Sequence, residues 1–311
     1  MSIALRDVFG KELLNIGKKN KKLVAISPDL KAATKLSYFF EKFPSRSIET
    51  GIAEANAIGI AAGLAMSGFR PVVSSFGSFL TGKNIEIRTS IAFNKAPVVL
   101  VGTHGGLIGP DGPTQAGLQD ISVMRSIPNI KVFQPSTEIE TKKILQKYLS
   151  KNSRDIVYLR ISREKTHEFF PKNYKFIEGN ISFLINEFKD AFVLTSGPML
   201  ERCYRAIKRI KKYKIGLGNL SSIKPINLKK LKVITNKTKR IITVEDHSTM
   251  GGLGSAVNES LNLLNSRCYV DNYGINDVFT QSGDVESLYK FYKLDELSIK
   301  KFLINKIRNN L

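Results

Sequence analysis

The sequence predicts an α/β protein of two domains, each with a mostly parallel sheet flanked by helices. Two observations lead to this prediction. Short apolar runs rich in β-branched residues alternate with helix-like stretches, and the alternation stops after residue 165 and then resumes. Such alternation is typical of parallel strands joined by crossover helices. With 311 residues, of which 42% are hydrophobic, the chain is long enough to form two cores.

The first domain is predicted over residues 1–165. Its strands are predicted from five apolar runs, which lie at 22–27, 71–76, 96–102, 130–135 and 156–160. Its helices are predicted from the stretches between those runs, at 2–18, 54–68, 83–94 and 137–150. This order of elements indicates strand–helix–strand units along the whole domain.

A linker is predicted over residues 166–188, and a second domain over residues 189–311. The segment "REKTHEFFPKNYKFIEG" around the start of the linker has no clear period and contains proline and clustered aromatic residues. An α/β pattern then begins again. Its predicted strands lie at 190–197, 214–220 and 240–246, and its predicted helices at 198–213 and 252–264.

The chain is strongly basic, with a formal net charge of +21 from 48 Lys and Arg residues against 27 Asp and Glu residues. The cations are spread in short clusters interrupted by apolar residues. A nucleic-acid-binding protein usually concentrates its charge on one face or carries a reader motif. The pattern therefore favours solvated lysine faces over a nucleic-acid site, and an anionic substrate or an acidic partner subunit would also suit it.

Targeting and cysteine signals are weak. The longest apolar runs, such as "AIGIAAGLAM", are shorter than the roughly 20 residues of a membrane span, and the N-terminus lacks a basic-then-apolar signal pattern. We therefore expect a cytoplasmic protein with no membrane partner. Cys203 and Cys268 lie far apart, which predicts two buried thiols and neither a disulfide framework nor a zinc site.

The loop "THGGLIGPDGPTQ", residues 103–115, follows a predicted strand and is rich in glycine and proline. Ligands of open parallel sheets gather at the carboxyl ends of strands. Glycine allows close backbone approach and proline holds its own dihedral, so His104 and Asp111 would be presented as fixed polar groups beside a ligand. The alternative is a tight turn in which His104 only satisfies a backbone carbonyl, and the loop by itself leaves both open.

Three other segments carry a similar ambiguity. Glu54 begins a helix of small residues and is either a buried acid with a function or a partner of the helix dipole. Phe76 and Phe79, three residues apart, are either a ligand platform or core. Arg160 and Arg163 end a predicted strand and either clamp a phosphate or face solvent.

The order and wording of these segments resemble the second half of transketolases. The resemblance rests on "GIAEANAIGIAAGLAMSGFRPVVSSFGSFLT", "VGTHGGLIGPDGPTQAGLQDISVMRSIPNIKVFQPS", "YLRISR" and "TVEDHSTMGGLGSAVNE", and it covers residues 3–290. It implies a thiamine-diphosphate enzyme whose two domains have the pyrimidine-binding fold and the transketolase C-terminal fold.

The resemblance also implies a partner. The "GDG" followed by asparagine that binds metal and diphosphate in transketolases is absent here. A separate N-terminal subunit with the diphosphate-binding domain is therefore expected, and it would hold most of the Mg²⁺ site, since no metal ligand is expected on this chain. Self-association of this chain, through the small-residue helix after Glu54, would form the core of a heterotetramer.

The resemblance assigns roles residue by residue. Glu54 matches the acid that bonds the aminopyrimidine ring nitrogen and promotes deprotonation of the thiazolium carbon. Phe76 and Phe79 match the aromatic pocket around the pyrimidine, and Asp29 matches an acid near the thiazolium edge. Glu54 and Asp29 would thus both face the cofactor, with Glu54 catalytic.

The remaining matches concern a sugar-phosphate substrate. His104, counted as catalytic with Glu54, and Asp111 match groups that contact sugar hydroxyls and the phosphate end of the acceptor. Arg6 in "ALRD" and Arg163 in "SRE" match the two arginines that bind the sugar phosphate. Gln115, also a substrate contact, stands where transketolases usually have histidine.

Two departures bear on substrate choice. Gln115 in "DGPTQ" can donate a hydrogen bond but cannot shuttle a proton, and Ala33 with Thr34 takes the place of a serine that helps to bind phosphate. We therefore hypothesise a specialised sugar pathway. The alternatives are a deoxyxylulose-phosphate-synthase-like or 2-oxoacid-dehydrogenase-β-like subunit that uses a 2-oxoacid donor, and a non-catalytic basic protein that retains the fold.

Overall fold

The computed structural model describes residues 2–308, so residue 1 of the first predicted domain and residues 309–311 of the second lie outside the described residues. The described chain forms a seven-stranded and a five-stranded sheet, each flanked by helices, and one two-stranded ribbon. The predicted fold class is confirmed.

The strands follow the predicted apolar runs closely and add several short strands and the seven-residue β14, which the sequence did not predict. They are β1 (Ile3–Ala4), β2 (Leu23–Ser27), β3 (Ser47–Glu49), β4 (Arg70–Phe76), β5 (Val99–Thr103), β6 (Ile130–Phe133), β7 (Ile156–Ile161), β8 (Lys165–Thr166), β9 (Ser182–Ile185), β10 (Ala191–Thr195), β11 (Ile215–Asn219), β12 (Ser222–Lys224), β13 (Arg240–Ser248) and β14 (Tyr269–Ile275).

The helices include all those predicted, with the 83–94 stretch divided into a short α-helix and a π-helix. They are α1 (Leu5–Lys19), α2 (Ser37–Lys42), α3 (Glu54–Met66), α4 (Gly77–Thr81), α5 (Asn84–Glu86), α6 (Asp120–Ser126), α7 (Glu138–Tyr148), α8 (Met199–Lys208), α9 (Leu228–Thr235), α10 (Leu253–Leu263), α11 (Val285–Phe291) and α12 (Glu296–Arg308), with a 3₁₀ turn at Pro44–Arg46 and the π-helix at Ile87–Phe93.

The seven-stranded sheet has the order β12-β6-β7-β5-β4-β2-β3 and is parallel except for β12. Its two faces are both covered. Leu23 and Ala25 of β2 lie in an apolar cluster with α1 and α7, whereas Val24 and Ile26 lie in another with α3 and the π-helix. Successive side chains of a strand point to opposite faces, so a strand buried on both sides reads as a continuous apolar run.

The five-stranded sheet has the order β14-β13-β10-β11-β9, with only β9 antiparallel. Strand β9 lies inside the predicted linker of 166–188, so the second sheet begins before residue 189. The linker prediction is corrected at this point. Strand β9, with the sequence "SFLI", pairs with β11 and is only partly buried, because it forms the edge of the sheet.

The two domains are joined by a strand as well as by the chain. Strand β12 follows β11 of the second sheet in sequence but pairs antiparallel with β6, so that Ser222 lies opposite Phe133 at the edge of the first sheet. A three-residue strand of this kind has no local signal in the sequence, since its partner supplies the pairing.

The structure also bears on the two cysteines and on membrane-spanning helices. Cys203 is buried as expected, whereas Cys268 is only half-buried at the start of the β14 segment. Among residues 2–308, no helix has both the length and the apolar character needed to cross a bilayer.

Candidate active site

The candidate site lies where β2, β4, β5 and β7 end side by side. Asp29, Phe79, His104 and Arg163 belong to the segments that follow these four strands. Carboxyl ends of parallel strands share one edge of a sheet, so segments distant in sequence meet there. The sequence placed these residues at strand ends, and the structure brings them to a common edge.

Glu54 is the first residue of α3, and its side chain is buried, with 8% of the residue exposed. The Ser75 hydroxyl donates to Glu54 Oε1 at 3.0 Å. Glu54 also borders a cavity of about 520 Å³ whose lining includes Asp29, Ile52 and Phe79. A carboxylate buried beside a cavity with one of its oxygens bonded can receive a donor from a ligand on its other oxygen.

A stack of three rings stands beside this carboxylate. The Phe76 and Phe79 centroids are 5.2 Å apart with an interplanar angle of 22°, and the Phe76 and His104 centroids are 3.9 Å apart. Phe76 is buried at the end of β4 and Phe79 reaches the cavity. The two phenylalanines that the sequence singled out therefore contact each other, and the stack connects the cavity to His104.

His104 is buried and has a left-handed backbone, with φ of 58°. Its Nδ1 lies 3.0 Å from Thr103 Oγ1. Burial, together with the charges of Arg6 and Arg163, lowers the pKa of His104 to about 3. The imidazole is therefore neutral near pH 7, with one nitrogen able to donate and the other to accept.

Arg6 and Arg163, the two predicted phosphate-binding arginines, are near enough to His104 for the charge of each to lower the pKa of the imidazole. Arg163 Nη1 donates to Asp111 Oδ2 at 2.6 Å, and these two side chains are about one-third exposed. Arg6 Nη1 donates to the Ala33 carbonyl at 3.5 Å. An anion that enters here would meet two guanidinium groups and would compete with Asp111 for one of them.

Two predicted contacts are arranged less directly. The Asp29 residue is exposed at the cavity, and its backbone N–H donates to Glu49 Oε1 at 2.6 Å. The Gln115 side chain accepts from the neighbouring Thr114 hydroxyl, while its backbone carbonyl accepts from Ser78 Oγ at 2.9 Å. The structure thus ties Gln115 to the segment after β4 through its backbone.

The prediction that both arginines of "YLRISR" clamp a phosphate or face solvent is wrong for Arg160. Its side chain is completely buried. Its Nε donates to Asp120 at 3.0 Å and its Nη1 to Asp246 Oδ1 at 2.8 Å. Burial disfavours its charge, but the charges of Asp120 and Asp246 outweigh burial and raise the pKa of Arg160. Arg163 alone of the pair is available to a ligand.

Two residues of the site were not predicted from the sequence. Ser75 bonds Glu54, and Lys83 lines the cavity. Ser75 carries no local signal, because its bond to Glu54 joins residues 21 positions apart. Thr34, the neighbour of Ala33, donates its hydroxyl to the Leu30 carbonyl at 2.9 Å, so that its proton is committed within the loop.

The residues present fit the pyrimidine half of thiamine diphosphate. A buried carboxylate with a free acceptor site, a stacked aromatic pair and an adjoining cavity suit a flat heterocycle with ring nitrogens. Across residues 2–308, no group of three or more His, Cys, Asp or Glu side chains has the arrangement of a metal site.

A His104→Gln variant should lose part of the acid sensitivity of folding. Because burial depresses the folded pKa to about 3, His104 contributes stability above pH ~6.5 that is lost as the pH falls towards 3. We expect the drop in free energy of unfolding between pH 7 and pH 5 to be about 2 kcal/mol smaller in the variant, measured by chemical denaturation. The exposed-ring variant His167→Gln is the control and should keep the drop of the parent.

Two family descriptions match the chain. "Transketolase, pyrimidine binding domain" matches residues 1–168, and "Transketolase, C-terminal domain" matches residues 183–299. A protein of Methanocaldococcus jannaschii described as a transketolase C-terminal section is 34% identical over 312 residues, which are 98% of this chain and 96% of that protein. The 1-deoxy-D-xylulose-5-phosphate synthase of Clostridium tetani is 33% identical over 295 residues, but the match covers only 47% of the synthase.

Solved structures agree with the sequence relatives. A split-gene transketolase, described as an inactive β4 tetramer, superposes with a TM-score of 0.88 at 32% identity, with 99% of each chain covered. The transketolase of Leishmania mexicana superposes with a TM-score of 0.82 at 18% identity, and this chain covers 46% of it. The latter likeness concerns the fold alone. This chain spans about half the length of the synthases and of the whole transketolase.

Proposed function

We propose, from the premise that this chain belongs to the transketolase family, that it is the subunit with the pyrimidine-binding and C-terminal domains of a thiamine-diphosphate-dependent transketolase. With a partner subunit it would transfer a two-carbon ketol unit between sugar phosphates. The observation that carries the proposal is Glu54, a buried carboxylate held by Ser75 at the mouth of a cavity beside two stacked phenylalanines.

In this proposal Glu54 holds and returns a proton at the ring nitrogen of the aminopyrimidine. Bound thiamine diphosphate supplies the electron sink. Phe76 and Phe79 orient the ring, and the buried position of Glu54 keeps water from the proton it handles. This chain would thus contribute the orientation of the ring and the buried position of the carboxylate.

His104, Arg6 and Arg163 would act on the substrate. A neutral His104 can bond a sugar hydroxyl or carbonyl without adding a positive charge to the pocket. The two guanidinium groups attract the phosphate end, and Arg163 already holds an anionic group in Asp111 at 2.6 Å. Asp111, displaced from Arg163 by a phosphate, would be free to accept from a sugar hydroxyl.

A partner subunit would complete the site by holding the diphosphate and the Mg²⁺. The exposed side of α3 supports self-association of this chain next to the cavity. A Cβ built on Gly59 or Gly63 would meet no atom within 4 Å, and Ile52 and Phe93 are 86% and 83% exposed. The inactive tetramer of the related split-gene transketolase agrees with a chain that associates with itself and needs a further subunit for activity.

The decisive experiment is co-expression with an N-terminal transketolase subunit. The purified complex is assayed with thiamine diphosphate, Mg²⁺, a ketose-phosphate donor and an aldose-phosphate acceptor, next to the isolated chain. We expect ketol transfer by the complex and no activity of the chain alone. A complex that assembles but transfers no ketol unit from any sugar phosphate tried would overturn the proposal.

The second candidate function is a synthase-like reaction with a 2-oxoacid donor. The specific observation in its favour is the synthase relative at 33% identity, which aligns over 94% of this chain. Pyruvate in place of the ketose phosphate distinguishes the two. Carbon dioxide release from pyruvate with condensation onto an aldose phosphate, in the absence of ketol transfer, would establish the alternative.

The Gln115→His variant tests the proposed link between residue 115 and a specialised sugar pathway. Gln115 is half-buried in the loop that carries His104 and Asp111, so a titratable ring there would change the contacts offered to the sugar. We expect the ratio of kcat/KM values for two acceptor sugars to change about tenfold. Identical preferences of variant and parent, compared across a panel of donors and acceptors, would refute the link.

A further inference from the structure

The loop that carries His104, Asp111 and Gln115 is packed into the second domain. We call residues 104–119 the substrate loop. Its apolar side chains lie in one buried cluster with residues of β10, β11, β13 and α11, and they are Leu107, Ile108, Ala116 and Leu118. The loop belongs to the first domain in sequence, yet its hydrophobic contacts are those of the second domain's core.

Polar contacts hold the same loop. Arg160 Nη2 donates to the Gly117 carbonyl at 2.8 Å, and the Ser248 backbone N–H donates to the Leu118 carbonyl at 2.9 Å. Arg160 is itself held by Asp246, whose Oδ1 accepts from Nη1 at 2.8 Å. Ser248 and Asp246 both belong to β13, so one strand of the second domain bonds the end of the loop directly and through Arg160.

The glycines of the loop serve this contact. Gly106 has φ of +89°, and a Cβ built on it would lie 2.0 Å from Asp246 Oδ2. Gly112 has φ of +81°, and its Cβ would lie 2.7 Å from Ser282 Oγ. Only a residue without a side chain allows the backbone to come this close to the second domain. The sequence analysis connected these glycines with a ligand. At these two positions they instead allow the loop to pack against the second domain.

We propose that the C-terminal domain positions the substrate loop, and that Asp246 is the positioning residue through its contacts with Arg160 and Gly106. The proposal rests on the proposed function, because it assigns the loop to substrate binding. Asp246 lies on β13 and is buried, with 1% exposed, so it acts on substrate only through the loop. The C-terminal domain contributes none of the predicted site residues, and loop positioning is the role its contacts support.

The test compares Asp246→Ala with Asn219→Ala in the full chain and in the complex with the partner subunit. Asn219 is an equally buried contact between the domains, bonded to Ser136 at 2.7 Å and Glu140 at 2.9 Å, without a bond to the loop. We expect amides 105–118 to exchange with deuterium about tenfold faster in Asp246→Ala than in the parent, and unchanged in Asn219→Ala.

Kinetics of the complex add a second readout. We expect Asp246→Ala to raise the KM of the phosphorylated acceptor about tenfold with kcat reduced less than about threefold, because the loop still reaches its bound position at a cost. Asp246→Asn should recover most of the parent KM, since an amide oxygen can still accept from Arg160. Equal loop exchange and equal KM in Asp246→Ala and Asn219→Ala would overturn the proposal.

A second pair of variants covers failure of Asp246→Ala to fold. Ile108→Ala removes a loop side chain from the buried cluster, and Ile307→Ala removes a side chain of the same cluster from α12. Faster loop exchange confined to Ile108→Ala supports the proposal, and equal exchange in both opposes it. If the parent complex transfers no ketol unit, the proposed function fails while the exchange comparison still decides whether the second domain positions the loop.

Discussion

Replacing Glu54 by glutamine is expected to lower kcat for ketol transfer about 10³-fold, because an amide can neither hold nor return the proton at the aminopyrimidine nitrogen. Glutamine has the same shape as glutamate and can still accept from Ser75, which donates to Glu54 at 3.0 Å. Folding should therefore be preserved. The measurement is steady-state kinetics of the complex at saturating thiamine diphosphate and Mg²⁺, with circular dichroism as a check on the fold.

The control for this variant is Glu41→Gln, an exposed carboxylate on α2. It removes the same charge from the chain and should leave kcat within about twofold of the parent. A Glu54→Gln complex with more than a tenth of the parent kcat would exclude Glu54 as the proton-handling group, whatever the fate of the proposed reaction.

The Arg160→Met variant is expected to lose about 3–5 kcal/mol of folding free energy. Methionine fills a similar volume but leaves the carboxylates of Asp120 and Asp246 without the charge that both contact within 3.0 Å. Arg160 is fully buried, so water cannot replace the guanidinium. Chemical denaturation of the full chain at pH 8, monitored by far-ultraviolet circular dichroism, measures the loss of folding free energy.

The loss should depend on pH in a stated direction. Burial raises the pKa of Asp246, and the Arg160 charge offsets part of that effect in the parent. Without Arg160 the pKa of Asp246 rises further above its unfolded value, so the variant is stabilised by a proton at low pH and loses that stability as the pH rises. The deficit relative to the parent should be smaller at pH 5 than at pH 8.

A surface ion pair serves as the matched control for Arg160. Arg209 contacts Glu296 at 2.5 Å, and the Arg209 side chain is 59% exposed. Arg209→Met should cost about 1 kcal/mol, since solvent screens an exposed pair. Equal losses in Arg209→Met and Arg160→Met would show that the buried network contributes no more than a surface pair.

Much of the fold could be predicted because the strands carry their own signal. The run 71–76 was predicted and β4 is observed at Arg70–Phe76; the run 156–160 was predicted and β7 is Ile156–Ile161. Strands buried on both faces need apolar side chains at every position, so the pattern is local. Strands β9 and β12 were missed because they are short or partly exposed and depend on distant partners for their pairing.

The candidate site divides in a similar way. Glu54, Phe76 and His104 were singled out from residue type and from their positions at the ends of predicted elements, and the structure places them around one region. Arg160 and Arg163 looked alike in sequence. They differ because the side chain of Arg160 contacts two carboxylates between the domains, whereas Arg163 contacts Asp111, which is about one-third exposed.

By itself the sequence determined the fold class, the order of the main strands and helices, and the residues that meet at the sheet edge, because apolar period and the ends of parallel strands are properties of short segments. Membership of the transketolase family follows from the same segments. Only the tertiary structure decided that β13 holds the loop after β5, with Asp246 against Gly106. Contacts between residues more than a hundred positions apart arise from the packing of two whole domains, and no local pattern records them.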